Sequence, residues 1–484
     1  MRIFKIIFSS VLGILVFAFN LSSYGKKKPN ILFCLADDWG LFPASIPGDP
    51  VIETPSFDRL AKEGVLFTNA FVNSPTCTAS RAGILSGQMP HRLKNAINLS
   101  SDWLSIPPLY TDLLSDNGFL VGFTGKGWAP GINTGRAINP AGRKYKDFSE
   151  FLIQRKKDQP FCFWFGSNSP HRPYNKDLRN QYKINPSKIN IPAFLPDVDE
   201  VRNDLADYYA EVKQFDNEVG LLLQKLDSIG ELDNTIIVMT GDNGLPFPRG
   251  KGNLYLHGIK APLAIKWAKK CKPDRVVTDF ISFTDFAPTF LEAAEIKIPD
   301  CMTGKSFLNL LLSDKTGRID PTRNIVFAER ERHTWCQPEG KSFPVRAVCN
   351  EDYLYIRNFR PYLFPAGDPF LKRKNSTPLG HVDCDEGPSK YFIIQNKNQP
   401  EYSKFYKLCF DLRPAEELYD LRKDPLQLTN LADRDSERKT LLEMRECLKK
   451  WMEETNDPRA KGETTIWDGS CWHAQARADE KIVH

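Results

Sequence analysis

Short apolar runs rich in β-branched and aromatic residues recur through the first two-thirds of the chain, and turn residues separate them from helical patterns. Such runs are typical of buried strands. Apolar positions at helical spacing, followed by Gly230, predict a long helix over Asp204–Ile229. We predict these strands for one sheet: Ile31–Leu35, Phe119–Thr124, Pro160–Phe165 and Thr235–Thr240.

The order of these elements predicts an α/β fold. Strands that alternate with helices favour a large, mixed but mostly parallel sheet flanked by helices on both faces. From Val345 the pattern changes, and Arg346–Val348 and Tyr353–Arg357 predict strands of a second, antiparallel sheet. A polar loop over Pro361–Lys390 and a helix over Ser436–Glu454 follow. We therefore predict a catalytic α/β domain over residues 26–344 and a smaller C-terminal α+β subdomain over residues 345–484.

The first residues carry a targeting pattern. Arg2 and Lys5 precede the apolar stretch Ile6–Phe19, and small residues over Ser22–Gly25 follow it. This arrangement is typical of a secretory signal peptide, and the stretch is shorter than the roughly 20 apolar residues of a membrane span. We predict a signal peptide over residues 1–25, a periplasmic or secreted product, and no membrane association after cleavage. The alternative is an uncleaved anchor helix.

Composition narrows the class of partner. The 484 residues include 65 Lys and Arg and 60 Asp and Glu, so the formal charge is only +5. This charge does not indicate a nucleic-acid partner, but it suits an anionic substrate if positive side chains gather in one cleft. Eleven cysteines are too few for a disulfide scaffold, and their odd number leaves at least one thiol unpaired. We predict that Cys77 is that thiol.

Polar side chains follow each predicted strand of the main sheet. Ligands of open α/β sheets bind beyond the carboxyl ends of the strands. Any one of these side chains alone would be explained by a solvated loop or a helix cap, but together they predict a functional edge. They are Asp37 and Asp38, then Lys126, then His171, and finally Asp242 with Asn243.

The acidic part of this set predicts a metal site. Asp37, Asp38, Asp242 and Asn243 offer only oxygen donors, which suit Ca²⁺ or Mg²⁺ better than zinc. For an exported protein we predict one Ca²⁺ per chain, because its flexible coordination tolerates an added substrate oxygen.

The segment around Cys77 is the most informative part of the sequence. An apolar run over Ala82–Leu85 predicts a helix that begins near Cys77, where the helix dipole favours negative charge. Arg81 follows four residues later, on the same helical face. An isolated cysteine is more often a buried core residue, but the arginine one turn away favours a functional group.

The stretch Cys77-Thr78-Ala79-Ser80-Arg81 resembles the type I sulfatase signature, Cys-x-Pro/Ala-x-Arg. The alanine form leaves open which class of maturation enzyme acts on it. Within the family the chain most resembles sulfamidase (N-sulfoglucosamine sulfohydrolase) and bacterial polysaccharide sulfatases, through residues 242–251 and 343–346. Further similar motifs are Pro29–Leu32, Thr124–Lys126, Ser169–Pro173, Gly241–Gly244, Glu417–Asp420 and Lys423–Pro425.

This resemblance implies an alkaline-phosphatase-like fold and a set of roles. A formylglycine-generating maturation enzyme would oxidise Cys77 to formylglycine (3-oxoalanine), which would join the calcium ligands as the nucleophile. Arg81 would hold the second hydroxyl of its hydrate, and Lys126 and Lys251 would bind the sulfate oxygens. His171 would be the general acid for the departing sugar atom. The substrate would be a sulfated carbohydrate.

One position departs from the family. Many sulfatases have a histidine where this chain has Trp128, in the run Gly125-Lys126-Gly127-Trp128. Either His257 or His91 replaces it, or the last step of the reaction is slower.

Charged residues outside these motifs are candidates for substrate contacts. Glu329–His333 follows a predicted strand over Ile325–Ala328 and is interpreted either as a solvated turn or as a subsite for anionic sugars. In the second interpretation Arg332, His333 and Arg346 reach acidic or sulfate groups. Arg172, Tyr174 and Arg249 are weaker candidates, and we predict that His381, His473 and His484 are structural or exposed.

Two other functions remain open from the sequence. A phosphonate or phosphodiester hydrolase of the same superfamily can also use formylglycine, whereas a non-catalytic carbohydrate-binding homologue would explain Trp128 but not the other motifs. For a sulfatase, the substrate is either heparan-type N-sulfoglucosamine or an O-sulfated algal polymer such as ulvan. The export signal and lysine-rich composition favour the O-sulfated polymer.

Overall fold

The computed structural model describes residues 27–46, 48–103, 108–371, 380–462 and 464–470. The predicted signal peptide, His473 and His484 lie outside these ranges. Within them, none of the helices combines the length and the apolar character that a membrane span requires.

The elements alternate as the sequence pattern predicts through the first two-thirds of the chain. The strands are β1 (Asn30–Ala36), β2 (Val65–Phe71), β3 (Ser101–Trp103), β4 (Leu120–Gly125), β5 (Gly131–Asn133), β6 (Arg143–Lys144), β7 (Phe161–Gly166), β8 (Thr235–Gly241), β9 (Lys260–Lys266), β10 (Arg275–Val277), β11 (Ile281–Ser282), β12 (Ile325–Arg330), β13 (Val345–Asn350), β14 (Tyr353–Asn358) and β15 (Glu416–Asp420). The helices are α1 (Pro55–Lys62), α2 (Cys77–Ser86), α3 (Tyr110–Asp116), α4 (Phe148–Ile153), α5 (Lys176–Gln181), α6 (Asp199–Ser228), α7 (Leu256–Ile259), α8 (Phe286–Ala293), α9 (Leu308–Leu312), α10 (Pro388–Gln395), α11 (Ser403–Cys409) and α12 (Arg438–Glu454).

The larger sheet is mixed and mostly parallel, as predicted. Among the described residues it has nine strands in the order β10-β2-β9-β8-β1-β7-β4-β6, and β11 pairs with β2. Only β9 runs antiparallel to its neighbours, β2 and β8. The strands predicted from the sequence, β8, β1, β7 and β4, are adjacent and parallel. Their carboxyl ends therefore lie side by side.

Alternation along β1 gives the sheet a core on each face. Ile31, Phe33 and Leu35 point into one apolar cluster, whereas Leu32 and Cys34 point into the other. The second cluster includes the long helix α6, which begins at Asp199 and ends at Ser228, close to the predicted bounds. Burial on both faces is what holds the strand ends rigid beneath the site.

The smaller sheet is antiparallel, in the order β12-β13-β14-β15. Helix α12 packs on it through Leu441, Met444 and Leu448, which contact Val348 and Leu418. The first strand, β12, precedes the predicted domain boundary at residue 345, so the small sheet takes residues from both sides of that boundary. The boundary itself stays a prediction.

All ten cysteines in the described part of the chain are unpaired. Cys77 is therefore a free thiol, as predicted, but pairing does not distinguish it from the other nine. The residues around Cys77 distinguish it from the other nine cysteines.

Candidate active site

The ends of β1 and β8 place the acidic residues. Asp37 and Asp38 follow β1, and Asp242 and Asn243 follow β8. Asp38 has a φ of 76°, and its backbone N–H donates to Asp242 Oδ1 over 2.9 Å, which ties the two strand ends together. This backbone bend turns the Asp38 side chain toward the other carboxylates.

A glycine allows the neighbouring strand ends to approach. Gly125, the last residue of β4, has a φ of 70°, and a Cβ atom there would lie 2.0 Å from the carbonyl oxygen of Gly166. Only glycine fits, because both the conformation and the contact exclude a side chain. The next residue, Lys126, is thereby directed at the acidic cluster, and its N–H donates to the Gly166 carbonyl.

The acidic cluster has the chemistry of a site for a hard cation. One ligand atom from each of Asp37, Asp38, Cys77 and Asp242 lies within 4.8 Å of the others, and all four residues are buried. Asn243 donates its amide to Asp242 Oδ1 over 2.6 Å, but its own Oδ1 is buried without a hydrogen-bond partner among the described residues. The Asn243 amide nitrogen faces Asp242 and Cys77 here, so a cation bound by the carboxylates would be met by this orphaned oxygen once the amide turned over.

Cys77 is the first residue of α2 and faces this cluster. Its Sγ lies 3.4 Å from Asp37 Oδ1 and 3.5 Å from the Asn243 amide nitrogen. Burial raises the pKa of the Cys77 thiol well above its ordinary value. The side chain is therefore well placed beside the cation site, but the thiol itself is not activated as a nucleophile.

Arg81 joins three parts of the site. Its Nε donates to Asp242 Oδ2 over 2.7 Å, and its Nη1 donates to the carbonyl oxygens of Lys126 and Gly127. Its Nη2 lies 3.6 Å from Asp37 Oδ1 and has no hydrogen-bond partner among the residues that are described. Arg81 is fully buried, so it fixes the geometry of the site and keeps one N–H available beside Asp37.

Two ammonium groups flank the carboxylates. Lys126 Nζ contacts both oxygens of Asp37, at 2.8 and 2.6 Å, and Lys251 Nζ donates to Asp38 Oδ2 over 2.7 Å. Burial opposes charge on Asp37, but Lys126 and the neighbouring cations hold the pKa of that carboxyl well below its ordinary value. For Asp38 burial prevails over Lys251 and raises the pKa to about 6. The site thus keeps both negative ligands and positive anion-binding groups.

His171 lies beside this cluster and lines a cavity of about 700 Å³. Its Nδ1 pairs with the carbonyl oxygen of Arg172, so Nδ1 carries the proton and Nε2 faces Asp38 Oδ2 at 3.8 Å. Burial, and then the charge of Lys251, lowers the pKa of His171 to about 4. An anion bound at the site would offset both effects and favour protonation of Nε2.

Trp128 has a structural role. Its indole N–H donates to the carbonyl oxygen of Thr78 over 3.1 Å, and its ring packs edge-on against Trp103. Trp128 therefore secures the first turn of α2, the turn that carries Cys77.

Neither histidine proposed to replace the one missing at Trp128 directs its ring at the site. His91 is buried between Glu329 and the carbonyl oxygen of Thr455. His257 is buried against the rings of Phe42 and Phe194. Among the described residues neither imidazole contacts Cys77 or the acidic cluster, so both candidates are wrong.

The predicted anionic-sugar subsite is also wrong for Arg346. Its guanidinium is fully buried and pairs with Asp457 at 2.5 Å, Glu331 at 2.9 Å and Glu329 at 3.3 Å. Three carboxylates neutralise this arginine, so it cannot reach a substrate. The stretch Glu329–His333 is not a solvated turn either, because all its residues are buried.

Two other basic candidates also contact other parts of the protein, but through an aromatic ring and carbonyl oxygens instead of carboxylates. Arg332 is buried and lies over the Trp335 ring, and Arg249 donates to the carbonyl oxygens of Leu408 and Gln427. Among the predicted substrate residues Arg172 and Tyr174 line the cavity, and so does His333. Its Nδ1 pairs with the hydroxyl of Thr76, the residue just before Cys77, over 2.8 Å.

Replacing Arg346 with alanine is expected to destabilise the protein by about 3–5 kcal/mol, because buried carboxylates would lose their cation. Urea unfolding followed by tryptophan fluorescence measures this loss. Lys439→Ala, which removes an exposed i,i+4 pair with Glu443, should change stability by less than about 1 kcal/mol. Equal stability of wild type and Arg346→Ala would contradict the assignment of this arginine to the core.

Asp385 belongs to the site although the sequence did not single it out. Its Oδ2 accepts from Lys251 Nζ over 3.2 Å, and it lines the same cavity as His171. Lys251 thus supplies the positive charge between Asp38 and Asp385, where a second metal would otherwise fit. Asp385 lies in the predicted polar loop, in the acidic run Asp383–Glu386, and no local pattern in that loop marks it.

Comparison with known proteins places these features in context. A family model described as "Sulfatase" matches residues 29–135 and 142–296, and one described as "N-sulphoglucosamine sulphohydrolase, C-terminal" matches residues 250–347. An ulvan-active sulfatase of Formosa agariphila is 27% identical, over 92% of this chain and 78% of its own length. Human N-sulphoglucosamine sulphohydrolase is 29% identical, over 90% of this chain and 92% of its own length.

A solved structure in complex with its substrate, D-glucosamine-2-N,6-O-disulfate, shares the fold. Its TM-score is 0.67 at 20% sequence identity, and the match covers 90% of this chain and 100% of that one.

Proposed function

The chain belongs to the sulfatase family, a family of sulfuric ester hydrolases, and we propose that it removes sulfate from sulfated polysaccharides or oligosaccharides outside the cytoplasm. The observation that carries this proposal is the placement of Cys77 at the N-terminus of α2, against a carboxylate cluster flanked by Lys126 and Lys251. That arrangement joins a nucleophile position, a cation site and an anion-binding pair within one buried site.

The reactive groups come from Cys77 and a bound cation. Oxidised to formylglycine by a maturation enzyme, the Cys77 side chain would supply a hydroxyl nucleophile, and calcium would supply a Lewis acid for that hydroxyl and for the sulfate. Asp37, Asp38, Asp242 and Asn243 would hold the calcium, because one oxygen of each carboxylate lies within 4.8 Å of the others and Asn243 Oδ1 has no hydrogen-bond partner among the described residues.

The remaining side chains act on charge and protons. Lys126 and Lys251 donate to Asp37 and Asp38 in this structure. A small rotation of each ammonium group would let it donate to sulfate oxygens bound next to these carboxylates. Arg81 offers its remaining Nη2–H beside Asp37. His171 Nε2 faces the site, where it would protonate the departing sugar oxygen or nitrogen.

Two substrate classes follow from the relatives. Similarity to the ulvan-active sulfatase supports an O-sulfated algal polymer as the substrate of this chain, and similarity to the human enzyme supports N-sulfoglucosamine. We propose the O-sulfated polymer as the first substrate, because the targeting pattern predicts an exported enzyme that meets polysaccharide outside the cytoplasm. N-sulfoglucosamine is the second candidate, supported by the C-terminal match at residues 250–347.

The test is sulfate release by the chain co-expressed with a formylglycine-generating enzyme. We expect release from ulvan oligosaccharides or from N-sulfoglucosamine, measured by ion chromatography, and the preferred substrate identifies the class. If formylglycine is present by mass spectrometry but only phosphonate or phosphodiester substrates are cleaved, the sulfatase proposal fails. Binding without turnover of any substrate would favour a non-catalytic carbohydrate-binding protein.

Calcium removal provides the control for the metal site. Chelation should abolish sulfate release and lower the thermal unfolding temperature, because the buried carboxylates would lose their bound cation. Added Ca²⁺ should restore both quantities. Full activity and unchanged unfolding after exhaustive chelation would contradict the proposed calcium site.

A further inference from the structure

The cavity above His171 offers few positive charges to a substrate. Its arginines are already paired: Arg172 with Asp204 at 2.7 Å, and Arg179 with Asp207 at 3.3 Å. A subsite for a second sulfate would need cationic groups that are not already neutralised. Apart from the exposed Lys176, the walls of this cavity therefore suit uncharged parts of a sugar better than additional anionic groups.

Asp385 brings a carboxylate to the point where the sugar must enter. It lines the cavity with a side chain that is 17% exposed, while Lys251 binds one of its oxygens over 3.2 Å. A carboxylate oxygen of Asp385, a ring nitrogen of His171 and a carboxylate oxygen of Asp38 lie within 4.8 Å of one another. Asp385 is thus next to the group that would protonate the leaving atom.

This position determines which part of the substrate Asp385 meets. A departing sugar atom next to His171 Nε2 would bring a substituent on the adjacent ring carbon within reach of Asp385, because the two side chains have polar atoms within 4.8 Å of each other. A carboxylate accepts a hydrogen bond from a hydroxyl group with a favourable charge-assisted geometry. A sulfate or carboxylate in the same place would meet the half-buried Asp385 carboxylate, a like charge that water screens only in part.

Resting on the proposed sulfatase function, we propose that Asp385 is a specificity-determining residue. It binds a hydroxyl group on the ring carbon next to the scissile sulfate, and it excludes sugars that carry a second sulfate there. The enzyme then acts on units with one sulfate flanked by hydroxyl groups, and vicinally disulfated units are poor substrates.

The test compares three substrates with wild type and Asp385→Asn, both carrying formylglycine and calcium. The substrates are a monosulfated monosaccharide, its vicinally disulfated counterpart, and 4-nitrophenyl sulfate, which has no hydroxyl beside its sulfate. We expect wild type to prefer the monosulfated sugar and Asp385→Asn to lower that preference in kcat/KM by about tenfold or more. Turnover of 4-nitrophenyl sulfate should fall by a smaller factor than turnover of the monosulfated sugar, because this substrate loses only the support that Asp385 gives to Lys251. An unchanged thermal unfolding temperature shows that the variant folds.

The outcomes separate the possible roles. An equal loss for all three substrates would mean that Asp385 only holds Lys251, and a wild-type preference for the disulfated sugar would overturn the proposal directly. Glu200→Gln removes one exposed carboxylate from the rim of the same cavity and should leave the preference unchanged within about twofold. If Glu200→Gln lowered the preference as much as Asp385→Asn does, the selectivity would come from the overall negative charge of the cavity instead of the contact with Asp385.

Binding provides a readout that does not depend on turnover. In a Cys77→Ser background, calorimetry should show tighter binding of the monosulfated sugar, and Asp385→Asn should reduce the difference. If wild type with formylglycine hydrolyses no sulfate, including 4-nitrophenyl sulfate, the proposed function fails and this assignment fails with it. If it hydrolyses sulfate without any preference, only the assignment of Asp385 fails.

Discussion

Cys77→Ala is expected to lower sulfate release by more than about 10³-fold. Cys77 begins α2 with its Sγ 3.4 Å from Asp37, and no other described cysteine lies in the carboxylate cluster. Because burial raises the pKa of the thiol, the unmodified side chain is a poor nucleophile, and alanine cannot become formylglycine. Ion chromatography of released sulfate measures the effect, and mass spectrometry of the peptide with Cys77 shows whether wild type carries the aldehyde.

Cys301→Ala is the matched control, since Cys301 is another unpaired thiol and lies outside the acidic cluster. This variant should retain wild-type release. The role of Cys77 would be contradicted by sulfate release that survives Cys77→Ala, or by full activity of wild type whose Cys77 remains an unmodified thiol.

Arg81→Ala is expected to cost about 3–5 kcal/mol of unfolding free energy and to lower kcat by more than about 10²-fold. The fully buried guanidinium pairs with Asp242 at 2.7 Å and donates to the carbonyl oxygens of Lys126 and Gly127. Its removal leaves a buried carboxylate without its cation and frees the turn that carries Lys126. Urea unfolding gives the stability, and sulfate release at saturating substrate gives kcat.

Two variants make this test specific. Arg81→Lys keeps the charge but not the planar group that reaches three oxygens, so its losses should be intermediate. Arg92→Ala, at an exposed arginine whose side chain donates to Gln88 over 3.1 Å, should cost less than about 1 kcal/mol. Normal stability and kcat in Arg81→Ala would contradict its place in the site.

Most of the framework could be predicted because its signals are local. The apolar runs at β1, β7 and β8 are continuous and almost wholly buried, since strands covered on both faces need no polar side, whereas β4 is only partly buried. Parallel pairing then brings their carboxyl ends together, so the residues that follow these strands lie close to one another whatever the conformation of the loops. The prediction of α2 succeeded for the same reason, although it begins earlier than the apolar run Ala82–Leu85.

The incorrect assignments share one cause. The sequence does not show whether a charged side chain faces solvent or another charge. From the sequence Arg346 is a candidate for binding anions, but in the structure Asp457, Glu331 and Glu329 surround it. His91 and His257 failed similarly, because burial among partners distant in the chain excludes them from the site.

By itself the sequence determined the α/β class, the oxygen-rich strand ends and the Cys77 motif, all of which depend on neighbouring residues or on the regular geometry of a parallel sheet. Only the tertiary structure decided which charges are available to a substrate. Lys251 and Asp385 are 134 residues apart in the sequence. They lie on two irregular segments, whose contact does not follow from any regular pattern such as strand pairing. Long-range packing of irregular loops sets such contacts, and it is these contacts that shape the cavity beside His171.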